Sequence, residues 1–378
     1  MPSTSSEALP PFWREGKMKV FRTPPLRDLS TGLGIVAHEF ERASSGIHDD
    51  VMVVLANHGP WIQENIVWLF WETTKPPQSW KLAGLRHTWT PTRYCQDIFR
   101  RSGIDSEIVP VGVNPAYFYL KRDSGPERSE LYKYKHLHLE RRGCEHGICR
   151  IFPQLLHRRG GLSPFRFLYP FDWIERKGPD VALRAFAEEF SSEDDVELVF
   201  CNFRLCTWTP MRMRSPSELM PQLHKVKPNL AKITMLVSFP RYPDIAELYR
   251  FCDCLVAPFR GQAVSMPVNE AMACGLPAIT TDFGGTSEFV TEELGWRIKV
   301  KEMVPVRLLD WFAPYQGQDL GVYAEPDVDD LKRCMREASD DVERTRRKGE
   351  KASEFILSNY TWEKTALRAR EYVEKEYR

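Results

Sequence analysis

The chain has 378 residues, of which 42% are hydrophobic and 28% charged, the balance of a soluble globular protein with room for two or three cores. Lys+Arg and Asp+Glu both number 52, and this neutrality argues against a nucleic-acid binder held by bulk positive charge. The 9 Cys are too few and too scattered for a disulfide framework, which points to a reducing compartment.

In chain order, residues 1–17 are rich in Ser and Pro, lack the apolar centre of a signal peptide and read as a flexible tail. No apolar run approaches the roughly 18 residues that span a bilayer, so a cytoplasmic protein is expected. Short apolar runs predict strands at Met18–Phe21, Val51–Leu55, Ile66–Phe70, His87–Thr90 and Glu107–Val111. Amphipathic stretches predict helices at Gly34–Ala43, Pro77–Leu85 and Arg93–Ser102, the last stopped by Gly103. This alternation predicts a parallel sheet covered on both faces, an N-terminal α/β domain over 18–120.

Residues 121–162 break the pattern. Within 121–160, ten Lys/Arg face five Asp/Glu, a local charge near +5, and no period is evident. A linker or inserted loop is the plain reading. A basic surface leaves peripheral membrane association or an anionic acceptor open, and His136, His138, Cys144, His146 and Cys149 leave a zinc site open without matching a standard finger.

The alternation resumes over 163–360. Strands are predicted at Arg166–Tyr169, Glu197–Cys201, Lys232–Val237, Cys254–Ala257 and Ala278–Thr281, and helices at Pro179–Phe190, Asp244–Phe251 and Pro267–Cys274. The charged tail from Val328 has helical periodicity. Residues 361–378 form a last helix that can cross back to the first domain. Two doubly wound α/β units place a cleft between them, and open α/β sheets bind ligands at the carboxyl ends of their strands.

The chemistry concentrates after Ala257. A buried strand ends at Pro258, a loop follows with Gly261 and Gln262, and Ser265 can cap a helix carrying Pro267 in its first turn. Such a helix start suits an anion. Glu270 on this helix has two readings, a carboxylate for vicinal ribose hydroxyls or a charge complementing the helix dipole. Gly284-Gly285 admits close backbone approach.

The run from Ala257 through Gln262, Glu270-Ala-Met-Ala-Cys-Gly-Leu-Pro and Gly284-Gly-Thr-Ser-Glu288 resembles the signature of family 4 retaining glycosyltransferases, which have the GT-B fold. The resemblance implies two Rossmann-like doubly wound domains facing a cleft, and a nucleotide-sugar donor held mainly by the second. It implies catalytic roles for Lys177, Gln262 and His58, the last as a sugar contact at a strand end. Donor contacts are implied for Glu270 (ribose), Val264, Ser265, Met266, Arg176, Ser238 and Phe239. Gly32 and Gly34, expected just before a helix, and Glu72 are implied on the acceptor side, although Glu72 also reads as a plain strand-end turn residue.

Two departures stand out. The family has Glu where this chain has Gln262, and a basic residue where it has Tyr169-Pro170-Phe171. Arg176 is either a partial substitute for that basic residue or a surface residue. The activity implied is metal-independent, cofactor-free retaining sugar transfer to a glycan, lipid or other acceptor. The departures keep an alternative open, a non-catalytic GT-B protein that binds nucleotide or a protein partner.

Overall fold

The computed structural model describes residues 19–22, 32–44, 52–56, 66–78, 85, 87–120, 164–202, 227–237, 242–306 and 317–376. His58, Ser238, Phe239, the 1–17 tail, the 121–162 insertion with its Cys/His group, and most of the expected helix Pro77–Leu85 lie outside these residues.

The N-terminal sheet contains β1 (Lys19–Arg22), β2 (Met52–Ala56), β3 (Ile66–Leu69), β4 (His87–Thr90) and β5 (Glu107–Ile108), paired in parallel in that spatial order. Helices α1 (Gly32–Ala43) and α2 (Arg93–Arg101) belong to the same domain. Gly32 and Gly34 fall inside the first turn of α1 rather than ahead of it. Weak helix propensity places the helix start after them, but first-turn N–H groups need no intrahelical partner, so glycine costs less there. Phe40 meets Trp68 and Trp89 edge-on, at 5.3 and 6.1 Å between ring centres. Such pairs add about 0.5–1.5 kcal/mol each beyond their buried area.

The C-terminal sheet has six parallel strands in the order β11-β10-β9-β6-β7-β8. These are β6 (Phe165–Tyr169), β7 (Val196–Asn202), β8 (Lys232–Val237), β9 (Cys254–Ala257), β10 (Ala278–Thr281) and β11 (Gly295–Ile298). The order reverses between β6 and β9, the switch point where such sheets open a ligand crevice. Every residue of β6, β9 and β10 is buried, as expected of strands covered on both faces. Helices α3 (Pro179–Glu189), α4 (Tyr242–Phe251) and α5 (Met266–Ala273) connect them.

An antiparallel ribbon of β12 (Val300–Pro305) and β13 (Val322–Pro326) follows. The charged tail is three helices, α6 (Val328–Asp340), α7 (Val342–Asn359) and α8 (Trp362–Glu376). Between the first two, the Asp341 carboxylate accepts the Arg344 N–H at 2.8 Å and starts a new helix. The chain returns to the first domain at Thr361. Val113 N–H donates to Tyr360 O at 2.8 Å, and α8 packs on α1. None of the described helices is long and apolar enough to cross a membrane.

Candidate active site

The carboxyl ends of both sheets meet. After β6 the chain makes a 3₁₀ turn, Glu175–Lys177, and enters α3 through Gly178 at φ 70°. A Cβ there would collide with the Pro258 carbonyl, so this glycine lets the turn lie against the end of β9. Arg260, just past β9, ties the two loops together. Its backbone N–H donates to Arg176 O at 2.9 Å. Its guanidinium donates to Glu175 O at 2.8 Å, to both Asp180 oxygens at 2.9 and 2.7 Å, and to both Glu325 oxygens at 2.7 and 2.8 Å. Bidentate pairs of this kind are the strongest and most directional ionic contacts.

This bracing brings Arg176, Lys177 and Gln262 together. Arg176 Nη1 donates to Gln262 Oε1 at 2.5 Å and to Gly261 O at 3.0 Å. Lys177 Nζ donates to the same Gln262 Oε1 at 2.8 Å, while Gln262 Nε2 donates to Val264 O. Arg176 is buried, not a surface residue. Phe171, where a basic residue was expected, gives Lys177 an aromatic neighbour instead. Lys177 Nζ lies 5.4 Å from the Phe171 ring centre and 4.8 Å from that of Phe259. Burial, and then the Arg176 charge, pull the Lys177 ammonium down to about 7.

Glu72, three residues past β3, reaches this cluster from the other domain. Its carboxylate is 3.7 Å from Arg176 Nη2. The plain turn-residue reading does not fit a buried carboxylate paired across the cleft.

Ser265 stands at the N-cap of α5, but its hydroxyl makes no capping bond. N-cap side chains bond the N–H of N2 or N3, and N2 here is Pro267, which has none. Ser265 Oγ and both amide atoms of Asn269 are buried without a protein partner. Met266 and Val264 flank this helix start and are buried. Glu270 is the fifth residue of α5, past the first turn where a helix dipole acts, so the dipole reading loses its basis. Its carboxylate accepts from Tyr249 Oη of α4 at 3.3 Å.

Further bonds across the cleft hold the two walls in register. Glu288 accepts the Arg93 and Tyr94 N–H groups at 3.1 and 2.7 Å, capping α2 from the opposite domain. Thr92 Oγ1 donates to Ala263 O at 3.1 Å, and Thr73 Oγ1 to Leu320 O at 2.6 Å. Gly285 fits beneath this contact because a Cβ would meet Ala263 O and the Thr92 side chain.

The fold is GT-B. Structures alike over most of their length include a glycosyltransferase from Rickettsia africae (TM-score 0.58, 14% identity, 92% of this chain and 83% of that one). Another is Anabaena HepE, solved with UDP and glucose (TM-score 0.54, 12% identity, 92% and 84%). Residues 166–305 match the family model described as glycosyl transferases group 1, which covers the GT-B domain carrying the cationic cluster. A protein of the Sulfolobus islandicus filamentous virus with a provisional glycosyltransferase name is 27% identical over 165 residues, 43% of this chain and 39% of its own. The D-inositol 3-phosphate glycosyltransferase of Acidothermus cellulolyticus is 25% identical over 209 residues, 54% and 39%. The aligned region spans about two fifths of the length of these curated relatives.

Tyr249, Arg260 and Glu288 do not emerge as site residues from sequence reasoning. Arg260 carried a signal, a lone Arg between a buried strand and the Gln262 loop. The partners of Tyr249 and Glu288 are 21 and 194 residues away and have no local signature.

Proposed function

We propose that this chain is a nucleotide-sugar-dependent glycosyltransferase of the retaining type, transferring a sugar to a glycan or lipid acceptor. The observation that carries the reading is the pairing of Arg176 and Lys177 on one neutral oxygen at the carboxyl ends of the β6 and β9 strands. Two cations in a low-dielectric crevice beside a helix start suit a departing diphosphate. They supply the charge that a metal ion would otherwise bring, which supports metal independence. Glu270 is the ribose ligand in this reading, steadied by Tyr249. The UDP bound to the Anabaena neighbour makes UDP-sugars the first donors to try.

In the transfer, the bond between the anomeric carbon and the phosphate oxygen breaks. The acceptor hydroxyl oxygen bonds that carbon on the same face. The hydroxyl proton passes to the departing phosphate oxygen, so no protein base is consumed. Once the diphosphate takes Arg176 and Lys177 from its oxygen, Gln262 is free to hydrogen-bond sugar hydroxyls without adding negative charge.

Gln262 also favours a second reading. Its amide occupies both cations, an arrangement open to a non-catalytic nucleotide-binding protein. Calorimetry with UDP-, GDP- and ADP-sugars in chelator, beside Glu270→Ala, separates the two. Tight binding of one donor, lost in the variant and followed by turnover with an acceptor panel, is expected. Binding without hydrolysis or transfer supports the second reading, and no binding at all rejects the first.

A further inference from the structure

We infer that Glu72 is the exchangeable counter-ion of this anion site: it holds Arg176 from the opposite domain in the unloaded cleft and gives way to the donor diphosphate. The inference rests on the function proposed above.

The Arg176 guanidinium is unevenly coordinated. One edge is well bonded, through Nη1 to Gln262 Oε1 and Gly261 O. The other edge is not. Nη2 faces Glu72 Oε1 at 3.7 Å, an ionic contact beyond hydrogen-bond length, and Nε is buried without a partner. Nε and Nη2 form the fork that binds carboxylates and phosphates through two parallel bonds. Glu72 therefore neutralises the fork from a distance without filling it.

The backbone that carries Glu72 is anchored, while its carboxylate is what gives way. Its own carbonyl accepts from Tyr94 Oη at 3.3 Å. The next residues are pinned to the β12–β13 ribbon: Lys75 N–H donates to Leu320 O at 3.2 Å, and Val322 N–H to Thr74 Oγ1 at 2.9 Å. A carboxylate standing off at 3.7 Å on an anchored backbone competes weakly with a phosphate that can close to hydrogen-bond length. With Gln262 neutral, Glu72 is the carboxylate paired with Arg176 among the described residues. Removing its charge takes the ionic partner from Arg176, leaving Asp172 as the carboxylate that still acts on Lys177, and improves anion binding. Simple structural support would do the reverse.

The test titrates inorganic pyrophosphate and UDP into the wild type, Glu72→Gln, Glu72→Asp and Glu72→Gln/Gln262→Glu by calorimetry at low and moderate salt. Glu72→Gln is expected to bind pyrophosphate roughly five- to tenfold more tightly, with the gain shrinking as salt rises. Glu72→Asp keeps the charge and stays near the wild type. The double variant restores a carboxylate beside the same cations and returns the affinity toward the wild-type value. Unchanged or weaker pyrophosphate binding in Glu72→Gln overturns the inference, as does failure of the wild type to bind pyrophosphate. Pyrophosphate binding without nucleotide binding instead rejects the glycosyltransferase reading and leaves the Glu72 comparison decisive.

Discussion

The two walls of the cleft are built differently. The C-terminal wall rests on β6, β9 and β10, whose residues are all buried, and its loops are bolted together by Arg260. It presents cations. The N-terminal wall is the turn after β3 and the start of α2, and it contributes Glu72 with backbone groups that the other domain caps or clamps. One domain carries the cations, and the other supplies a carboxylate opposite Arg176 and the contacts that align it, the division on which the proposed anion site rests.

The largest effect expected from disturbing this asymmetry is at Lys177. In the proposed reaction Lys177 faces the leaving group, and Lys177→Ala is expected to lower kcat roughly a hundredfold or more, with the fold intact by circular dichroism. Next is Arg260→Gln, which removes the guanidinium shared by Asp180 and Glu325. A stability loss of about 2 kcal/mol is expected in denaturant titration, together with weaker diphosphate binding as the two loops part. A stability loss without a binding change would reduce Arg260 to scaffold.

Acidity probes the cationic wall. Burial and the Arg176 charge hold the Lys177 ammonium down at about 7, and a diphosphate beside it would raise it. Above pH 7, binding must therefore take up a proton, so UDP affinity is expected to fall by up to tenfold per pH unit as pH rises. Below pH 7 the lysine is already charged and this dependence disappears. Lys177→Arg should flatten the profile. The smallest effect is on the opposite wall. Glu288→Gln weakens the cap of α2 by about 1 kcal/mol, read as faster hydrogen exchange at Arg93 and Tyr94.

Much of the C-terminal framework is legible in the sequence. Lys232–Val237, Cys254–Ala257 and Ala278–Thr281 have the same limits in sequence and structure; the last two are continuously buried, and such strands are apolar runs bounded by charge, Pro or Gly. The ribbon after β11 is not legible, since β12 is largely exposed and its Val-Lys-Glu-Met-Val-Pro has no buried face to print a pattern. The break at Asp341 is hidden by charged helical periodicity on both sides. Residue types at the site are visible in sequence, but their roles depend on pairing. Whether Arg176 is a surface charge or a buried fork, and whether Glu72 is a turn residue or a counter-ion, is decided by the meeting of two loops 104 residues apart in the chain.

A crystal structure of the chain with a nucleoside diphosphate bound would test the division of labour between the two walls in one step. Phosphate oxygens are expected within hydrogen-bond reach of Lys177 Nζ and the Arg176 Nε–Nη2 fork, with the Glu72 carboxylate moved away from Arg176. A diphosphate seated elsewhere, with the Glu72–Arg176 pair undisturbed, would contradict it.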